Sequence, residues 1–544
     1  MRRIVLLLAP WLALAMGCDR SESVRQRDLI VLSVETLRSD ALGYAGHPGA
    51  ATPNLDALVA RGTRFAQAIT PMPRTSPALA SLMTGLWPHH HGSREVGDAM
   101  TGGIRLAEVL RGQGYGTLAV VGNHSAGPAQ GFDRGFERFV SYDDLVERYR
   151  GRLYRDGTDV PPTAPGWAEV TTDEALALVS QSSPGKPLLL WVFYFDPHFL
   201  YRPPSPWQER AVAPRCWELY RWALADPGHR GGQVFNDIRG VARQAAEDCR
   251  KLYDAEVAYT DSEIGRLLRD FRKARGNREP LVLFTADHGE NFGEEGLFFE
   301  HGENVHEAGL SVPLAWVGPG VAAGRVDQGA ASLVDALPTT LALLGVPEKA
   351  RPPVDGMDLS PFLAAGGHSR GREEPRVVFA ESANALWNQA FGHLLTGRAG
   401  GRVCVNQGRY SLCEQTHERP GVYELYDHEA DPELEHNLAS RLPEVVARLS
   451  AVRQVWPVEG ARLLAARQAR FKLVGRPRAE GGYHYELYDL AGAGESVDVS
   501  AAFPAVAAKL QQELERWAAG IRAEPRSERS REQEDVLRGL HYLG

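Results

Sequence analysis

The segment Leu281-Val282-Leu283-Phe284-Thr285 is an apolar run that ends on the polar residues Asp287-His288-Gly289. Near-continuous apolar runs of this kind, separated by helical patterns, are typical of buried parallel strands. Three other segments share the change from apolar to polar at the carboxyl end: residues 29–34 before Glu35, residues 117–121 before Asn123, and residues 188–195 before Asp196-Pro197-His198. In open α/β sheets, ligands bind beyond the carboxyl ends of strands. The four segments therefore predict an α/β fold with a mostly parallel central sheet and one site at its edge.

Two segments between these runs have helical patterns. Residues 54–60 follow a Thr-Pro start and end at Arg61-Gly62, which is a normal layout for helix caps. Residues 254–271 place their apolar side chains on one face. Helices that alternate with buried strands support the α/β prediction.

The composition is ordinary for a soluble globular protein. Of the 544 residues, 43% are hydrophobic and 24% are charged. The net charge of −9, from 69 acidic and 60 basic residues, argues against a nucleic-acid partner, because such proteins carry a basic stripe. An anionic substrate is still possible, since a site can be locally positive inside an acidic protein.

The chain is long enough for two or more domains. A stretch rich in Pro, Gly, Arg and Glu at residues 349–375 predicts a linker. We expect a catalytic domain over residues 28–365, a smaller C-terminal α+β region over residues 376–520, and a charged tail over residues 521–544.

The C-terminal region contains an internal repeat. Residues 407–412 (QGRYSL) match residues 468–473 (QARFKL), and the sequence YELYD occurs at both residues 423–427 and 485–489. Each copy predicts a strand pair followed by a helical stretch that ends at Trp456 or Trp517. Strands followed by a helix indicate a small α+β domain, and two copies are too few for a solenoid.

The first residues have the pattern of an export signal. Arg2 and Arg3 precede an apolar run over residues 4–15, which is too short for a comfortable transmembrane helix. Met16-Gly17-Cys18 resembles a bacterial lipoprotein processing box, so residues 1–18 predict a signal peptide and Cys18 a lipid anchor in the membrane. A plain signal peptide or an uncleaved anchor are the alternatives. All three place the protein in the bacterial cell envelope, and the lipoprotein alternative places it on the periplasmic side of a membrane.

The remaining four cysteines agree with export. An even number in an exported protein indicates disulfides. Sequence proximity favours Cys404–Cys413 and Cys216–Cys249 among the three possible pairings.

The residues after two of the predicted strands offer metal ligands. Glu35 supplies a carboxylate, and Asp287-His288 supplies a carboxylate and an imidazole. A histidine among oxygen ligands favours Zn or Mn over Ca or Mg, although all four remain possible. For Glu35 alone, a solvated turn residue is the simpler interpretation.

A candidate nucleophile lies at the start of a predicted helix. Residues 74–86 (RTSPALASLMTGL) read as a loop, a short helix and a Gly stop, with Thr75 as the N-cap and Pro77 in the first turn. The N-terminus of a helix favours bound anions, so Thr75 can also face a phosphate or sulfate group.

Many ordered motifs together resemble the sulfatase family of the alkaline phosphatase superfamily. Residues 33–40 resemble its opening metal motif, residues 52–56 (TPNLD) its "tPNLD" element, and residues 75–92 its nucleophile helix. Further elements follow in family order: Gly114-Tyr115, Gly131-Phe132-Asp133, Asp196-Pro197-His198, Asp287-His288-Gly289-Glu290, His301-Gly302 and Val312-Pro313-Leu314. The resemblance spans about residues 28–363. It implies an alkaline-phosphatase-like α/β/α sandwich and a smaller C-terminal α+β subdomain.

The sequence departs from the family at the nucleophile. Sulfatases carry Cys or Ser there, in a Cys-x-Pro-x-Arg motif, and oxidise it to formylglycine. This chain has Thr75 at that position and Leu79 in place of the Arg, and threonine cannot become formylglycine. Threonine at this position resembles relatives that act on phosphorus, namely nucleotide pyrophosphatases, phosphoethanolamine transferases and lipoteichoic-acid synthases. The family's site lysine is also missing, and His301 lies nearby in the sequence.

Carried over residue by residue, the resemblance implies roles for seven residues. Glu35, Asp287 and His288 bind a divalent metal ion, with Thr75 Oγ1 as a further ligand and as the nucleophile. His198 and His301 hold the substrate's non-bridging oxygens or protonate the leaving group, and Asn123 donates to the same oxygens. His91 is expected to brace the end of the nucleophile helix.

The leading hypothesis is hydrolysis of phosphate or phosphonate esters through a covalent phospho-Thr75. Sulfate-ester hydrolysis is the second, favoured by the overall resemblance and opposed by Thr75 and Leu79. A head-group transferase is a third, but such enzymes usually have several transmembrane helices and no 18-residue apolar run occurs here. A non-catalytic envelope binding protein is the fourth.

Overall fold

A computed structural model describes residues 27–149, 167–225, 239–294, 299, 301–302, 304–364, 376–382, 402–407, 410–415, 423–427, 437–447, 450, 462–478, 481–492 and 494–521. The predicted signal peptide with Cys18 lies outside these residues, as do Trp456 and all but the first residue of the predicted tail.

The described residues contain fifteen β-strands. They are β1 (Leu29–Val34), β2 (Gly62–Ile69), β3 (Gly116–Val121), β4 (Arg138–Val140), β5 (Leu188–Tyr194), β6 (Leu281–Ala286), β7 (Leu314–Val317), β8 (Arg325–Ser332), β9 (Val378–Glu381), β10 (Arg402–Gln407), β11 (Tyr410–Gln415), β12 (Tyr423–Asp427), β13 (Leu464–Gln468), β14 (Phe471–Pro477) and β15 (Tyr483–Asp489).

Residues 443–447 are helical, and thirteen further α-helices lie in the same parts of the chain. They are α1 (Pro53–Val59), α2 (Thr75–Thr84), α3 (Pro88–His91), α4 (Leu106–Gly112), α5 (Tyr142–Arg148), α6 (Trp167–Ser180), α7 (Trp207–Arg210), α8 (Pro214–Ala225), α9 (Arg239–Ala274), α10 (Glu307–Leu310), α11 (Ala336–Leu343), α12 (Ser360–Leu363) and α13 (Pro504–Ala518).

Eight strands form a central sheet in the order β4-β3-β5-β1-β6-β7-β2-β8. Only β7 runs antiparallel to its neighbours β6 and β2. The four strands predicted from apolar runs are β3, β5, β1 and β6, which lie side by side and are buried along their whole length. The prediction of a mostly parallel sheet with a buried centre is confirmed, because only a strand covered on both faces tolerates such an unbroken apolar sequence.

Helices cover both faces of this sheet. One layer contains α1, α6, α7 and α8, which all contact the long helix α9. The other contains α2 with its neighbours α3, α4 and α11, and α12 packs on α11. Both layers share one hydrophobic core with the sheet. The α/β/α sandwich is therefore confirmed.

The two predicted helices are present, one with different bounds. Residues 54–60 correspond to α1, whereas residues 254–271 are the second half of α9. The helix begins earlier because Ala245, Cys249 and Leu252 continue its buried stripe. No helix within the described ranges combines the length and the apolar content needed to cross a bilayer.

The prediction of a linker at residues 349–375 is wrong for its first half. Residues 349–364 pack on the catalytic domain, and Leu359 and Leu363 are fully buried in its core. Two apolar side chains four residues apart outweigh the Pro- and Gly-rich composition, because they form one buried face that includes α12. Residues 365–375 lie outside the described residues.

The C-terminal region forms two antiparallel sheets, one for each copy of the repeat. The first has the order β10-β11-β12, and the second has the order β15-β14-β13-β9 with α13 packed on it. The copies share one register, since Gln407 pairs with Tyr410 as Gln468 pairs with Phe471. The predicted α+β subdomain is thus confirmed.

The two faces of the four-stranded sheet have different partners. Leu464, Ala466 and Leu473 pack against Leu510 and Leu514 of α13. The alternate residues of the same strands, including Ala465 and Val474, pack against Ile69, Val305 and Leu310 of the catalytic domain. The sheet therefore joins α13 to the catalytic domain.

One predicted disulfide is present. Cys216 of α8 and Cys249 of α9 are bonded, with their Cα atoms 5.0 Å apart. Cys404 lies opposite Cys413 in the register of β10 and β11, and their pairing stays a prediction. The predicted location outside the cytoplasm also stays a prediction.

Candidate active site and metal centre

Polar residues that follow the four central strands meet at one edge of the sheet. The strands are parallel neighbours, so their carboxyl ends lie side by side. Glu35 follows β1, Asn123 follows β3, His198 follows β5 and Asp287 follows β6, and all four are buried. The structure thus brings together residues that are far apart in the sequence.

Glu35, Asp287 and His288 form a group that fits a metal ion. Each offers one ligand atom, and these three atoms lie within 4.8 Å of one another. All three side chains are fully buried. Two buried carboxylates without a counter-charge would be costly, and a divalent cation would neutralise them.

Asp287 shows the fit most directly. Its Oδ1 accepts hydrogen bonds from the amides of Thr36 (3.1 Å) and His288 (2.8 Å). Its Oδ2 is buried with no hydrogen-bond partner among the described residues. Burial raises the pKa of Asp287 to about 7, and the two amides oppose this rise. A cation at Oδ2 would supply the missing partner.

His288 is held in the form that ligates metals. Its Nδ1 lies 2.9 Å from the carbonyl oxygen of Gly289, which only accepts, so Nδ1 carries the proton. Nε2 therefore has the lone pair, and it lies 3.3 Å from Asp287 Oδ2. Burial lowers the pKa of His288 to about 3, which keeps the ring neutral. Donation by the second ring nitrogen to a carbonyl is the usual support of a metal-binding histidine.

Thr75 lies beside this group, as predicted, although its place in the helix differs from the prediction. Its Oγ1 donates to Glu35 Oε1 at 2.8 Å and lies 3.5 Å from His288 Nε2. The helix α2 begins at Thr75, and Arg74 is the N-cap, so the prediction of Thr75 as N-cap is wrong by one position. At the first helical position the hydroxyl bonds the carboxylate of Glu35, which is distant in the sequence.

His198 and His301 lie close to the ligand group. The His301 ring centre is 4.2 Å from that of His288 and 5.6 Å from that of His198. His198 Nδ1 donates to the carbonyl of Phe199 at 2.7 Å. His301 Nδ1 lies 3.1 Å from Glu290 Oε1. Each Nδ1 is thus engaged by an acceptor.

Asn123 contacts a metal-ligand candidate. Its Nδ2 donates to Glu35 Oε2 at 2.7 Å, and its Oδ1 accepts from the amide of Ser125 at 2.7 Å. Asn123 therefore orients Glu35, a contact that the sequence prediction did not include. Its predicted donation to substrate oxygens stays a prediction.

Arg74 and Glu290 are site residues to which the sequence analysis gave no role. Arg74 is buried beside Gly302, where a Cβ would lie 2.0 Å from the arginine Nε. Its positive charge is among the causes, after burial, that lower the pKa of His288 and of His301. Glu290 is fully buried and accepts from Tyr201 Oη at 3.1 Å as well as contacting His301. The sequence could have indicated them only by their position. Arg74 directly precedes Thr75, and Glu290 lies two residues after His288.

His91 supports α2 from the side, as expected. Its Nε2 lies 2.9 Å from Ser81 Oγ, and its Nδ1 accepts from the amide of Ser93 at 3.1 Å. Burial lowers its pKa to about 3. A neutral imidazole with hydrogen bonds at both ring nitrogens has a structural role here.

The fold and this site together define an ester hydrolase of the alkaline phosphatase superfamily. The family model described as Sulfatase matches residues 27–346, which is more than half of the chain. The chain therefore belongs to the sulfatase family.

Similar proteins include enzymes of several specificities. The choline-sulfatase of Rhizobium meliloti is 28% identical over 79% of this chain and 87% of its own. The multifunctional alkaline phosphatase superfamily protein of Trinickia caryophylli is 24% identical over 76% of this chain and 91% of its own. The solved phosphonate monoester hydrolase of Agrobacterium radiobacter has a TM-score of 0.62 and 21% identity, covering 91% of this chain and 96% of its own. That structural likeness shows the fold.

The geometry predicts about one metal ion per chain. Only one group of three or more ligand residues occurs in the described residues, and it is the buried set around Glu35. We expect elemental analysis of purified protein to find one equivalent of a divalent ion, with Mn or Zn favoured over Ca or Mg. Two ions per chain at full occupancy would instead indicate a binuclear site.

Proposed function

We propose that the protein hydrolyses phosphate or phosphonate esters of an anionic substrate, with Thr75 as nucleophile and a divalent metal ion held by Glu35, Asp287 and His288. One observation carries the proposal. The Thr75 hydroxyl lies at hydrogen-bond distance from Glu35, at the position where sulfatases carry the formylglycine precursor. Threonine cannot form the aldehyde hydrate that releases sulfate.

The residues of the site suit in-line attack on phosphorus. Glu35 Oε1 accepts a hydrogen bond from the Thr75 hydroxyl, and this bond orients Oγ1. A bound metal ion would lower the pKa of this hydroxyl and neutralise charge on the ester. Attack forms an Oγ1–P bond as the bond to the leaving alcohol breaks, and water then hydrolyses the phospho-threonine.

Three cationic or imidazole groups surround the place of attack. Arg74 adds a buried positive charge next to the nucleophile, which favours an anionic substrate in a protein of net negative charge. His198 and His301 are assigned to the non-bridging oxygens or to protonation of the leaving group. Glu290 and Tyr201 fix the His301 ring for either role.

Sulfate-ester hydrolysis is the second candidate. It is favoured by relatives such as choline-sulfatase and human arylsulfatase A, the latter 27% identical over 82% of this chain and 89% of its own. It is opposed by Thr75 and Leu79, which replace the formylglycine precursor and the arginine of the family motif.

A substrate screen distinguishes the two candidates. Purified protein is assayed with phosphomonoester, phosphodiester, phosphonate and sulfate chromogens, each with Mn, Zn, Ca and Mg. We expect the highest kcat/KM on one of the phosphorus esters. A clear preference for the sulfate ester would overturn the proposal. The same screen with Thr75→Ala identifies any contaminating activity.

A further inference from the structure

A buried cluster of four charges joins the C-terminal sheet to the short helix α10. Lys472 of β14 is fully buried, and its Nζ lies 2.5 Å from Glu495 Oε1 and 3.3 Å from Glu307 Oε1. Arg467 of β13 lies 2.7 Å from Glu307 Oε2. Glu307 is the first residue of α10, and its amide donates to Glu495 Oε2 at 2.8 Å. Lys472 Nζ also donates to the carbonyl of Val305.

The pairing of β13 with β14 does not depend on these charges. Arg467 and Lys472 are direct cross-strand partners on the face toward the catalytic domain, and like charges in such a pair are unfavourable. The other copy of the repeat has the same register but places the uncharged residues Asn406 and Ser411 at these positions. Burying ion pairs adds little stability in general. The charges thus belong to the contact with α10.

The helix α10 in turn contacts the segments that carry the site. The amide of Gly289, next to Asp287-His288, donates to the carbonyl of Gly309 at 2.8 Å. A Cβ on Gly289 would lie 1.9 Å from the carbonyl oxygen of Ala308, so the ligand loop rests directly on the helix. The amide of Thr70 donates to Leu310 at 2.9 Å on the side of the nucleophile segment.

The Val305 carbonyl links the cluster to His301. Val305 lies four residues after His301, and the intervening Asn304 donates to Asn291 Oδ1 at 3.4 Å. Lys472 therefore holds the end of this stretch that leads into α10, through the carbonyl of Val305 and the carboxylate of Glu307.

We propose that the C-terminal subdomain completes the active site, with Lys472 as a positioning residue that fixes α10, the Asp287-His288 loop and His301. The inference rests on the proposed function only because it takes Asp287, His288 and His301 as part of the reacting centre. Lys472 acts through Val305 and Glu307 and touches no substrate. Loss of its charge should loosen the loop and the metal site while the fold persists.

The test compares Lys472→Met with the matched control Arg275→Met. Arg275 forms an equally buried bidentate pair with Asp28 at the opposite end of the central strands, with contacts of 2.9 and 3.0 Å. Both variants should lower Tm. In Lys472→Met we expect kcat and metal affinity to fall about 10- to 100-fold with little change in KM, the range typical of residues that support metal ligands. Faster hydrogen exchange over residues 287–294 and 304–310 should accompany this fall, and Arg275→Met should show neither change.

Other outcomes decide the inference as well. A Lys472→Met protein with reduced Tm but wild-type kcat, metal affinity and exchange over residues 287–294 and 304–310 would overturn it, as would equal losses in Arg275→Met. If Lys472→Met does not fold, Glu495→Gln keeps the shape of the cluster and removes one charge, and the same criteria apply to it. If wild-type protein cleaves no ester, the proposed function fails, and metal affinity with exchange still decides the positioning role.

Discussion

Replacement of Thr75 by alanine is expected to abolish turnover while fold and metal content stay close to wild type. The Thr75 hydroxyl is the only attacking group that the proposal contains, so kcat should fall by at least about 10³-fold, as for other covalent nucleophiles. Because α2 begins at Thr75 with Arg74 as its cap, the hydroxyl does not cap the helix. Its hydrogen bond to the Glu35 carboxylate is the main loss, which costs about 1.5–3 kcal/mol.

The serine variant is the matched control for this experiment. Thr75→Ser keeps the attacking oxygen and removes the methyl group that restricts its rotamer. Because misplacement of a reacting atom can cost about 10²-fold, we expect partial activity between zero and that of wild type. Steady-state kinetics, Tm and metal content measured on all three proteins separate chemistry from folding. An alanine variant with substantial turnover would exclude the covalent mechanism.

The central sheet was predictable because burial on both faces leaves a strong mark on sequence. Strands β1, β3, β5 and β6 are apolar at nearly every position, and a polar residue follows each of them within two residues. Their order in the sheet was not predictable, since apolar runs carry no information about neighbours. Even so, parallel strands all present their carboxyl ends at one edge. The placement of Glu35 and Asp287 at one edge therefore followed from the pattern, whereas their closeness depends on the pairing of β1 with β6.

The parts of the site that could not be predicted from the sequence are contacts between distant segments. The bonds from Asn123 to Glu35 and from Glu290 to His301 depend on how loops turn after the strands, and neither has a spacing signature. The contact of Lys472 with Glu307 crosses between two domains. The error of one position at Thr75 has a related cause, because a distant carboxylate takes the hydroxyl that a cap would use locally.

The repeat shows how much a local pattern can and cannot establish. Matching residues predicted two equivalent strand pairs, and the registers of the two sheets are the same. Nothing in the repeat pattern predicted that the second copy packs on the catalytic domain, although Arg467 and Lys472 distinguish it from the first. Charges at positions that alternate with core residues are the normal pattern of a strand with one solvated face, so these two charges did not indicate the contact.

Replacement of Glu35 by glutamine is the second change expected to have a large effect, and its first consequence should be loss of metal. Glu35 and Asp287 supply the two negative charges of the ligand group, and His288 is neutral. Glutamine also has one oxygen where Glu35 has two, and both are occupied: Oε1 accepts from Thr75 and Oε2 from Asn123. In one orientation the new NH₂ group faces the Asn123 Nδ2 donor, and in the other it removes the acceptor that orients the Thr75 hydroxyl.

We expect the Glu35→Gln variant to bind the metal at least about 100-fold more weakly than wild type, since changes to groups that merely support a ligand cost 10- to 100-fold. Calorimetric titration of metal-stripped protein measures this directly, and kcat should fall in parallel at limiting metal. The Tm increase that metal gives wild type should shrink, because stabilisation by a ligand follows its affinity. Glu256→Gln is the matched control: Glu256 is a buried glutamate outside the ligand group, and burial raises its pKa well above the usual range, so glutamine resembles its neutral form. Wild-type metal affinity in Glu35→Gln would remove Glu35 from the ligand set and with it the proposed geometry around Thr75.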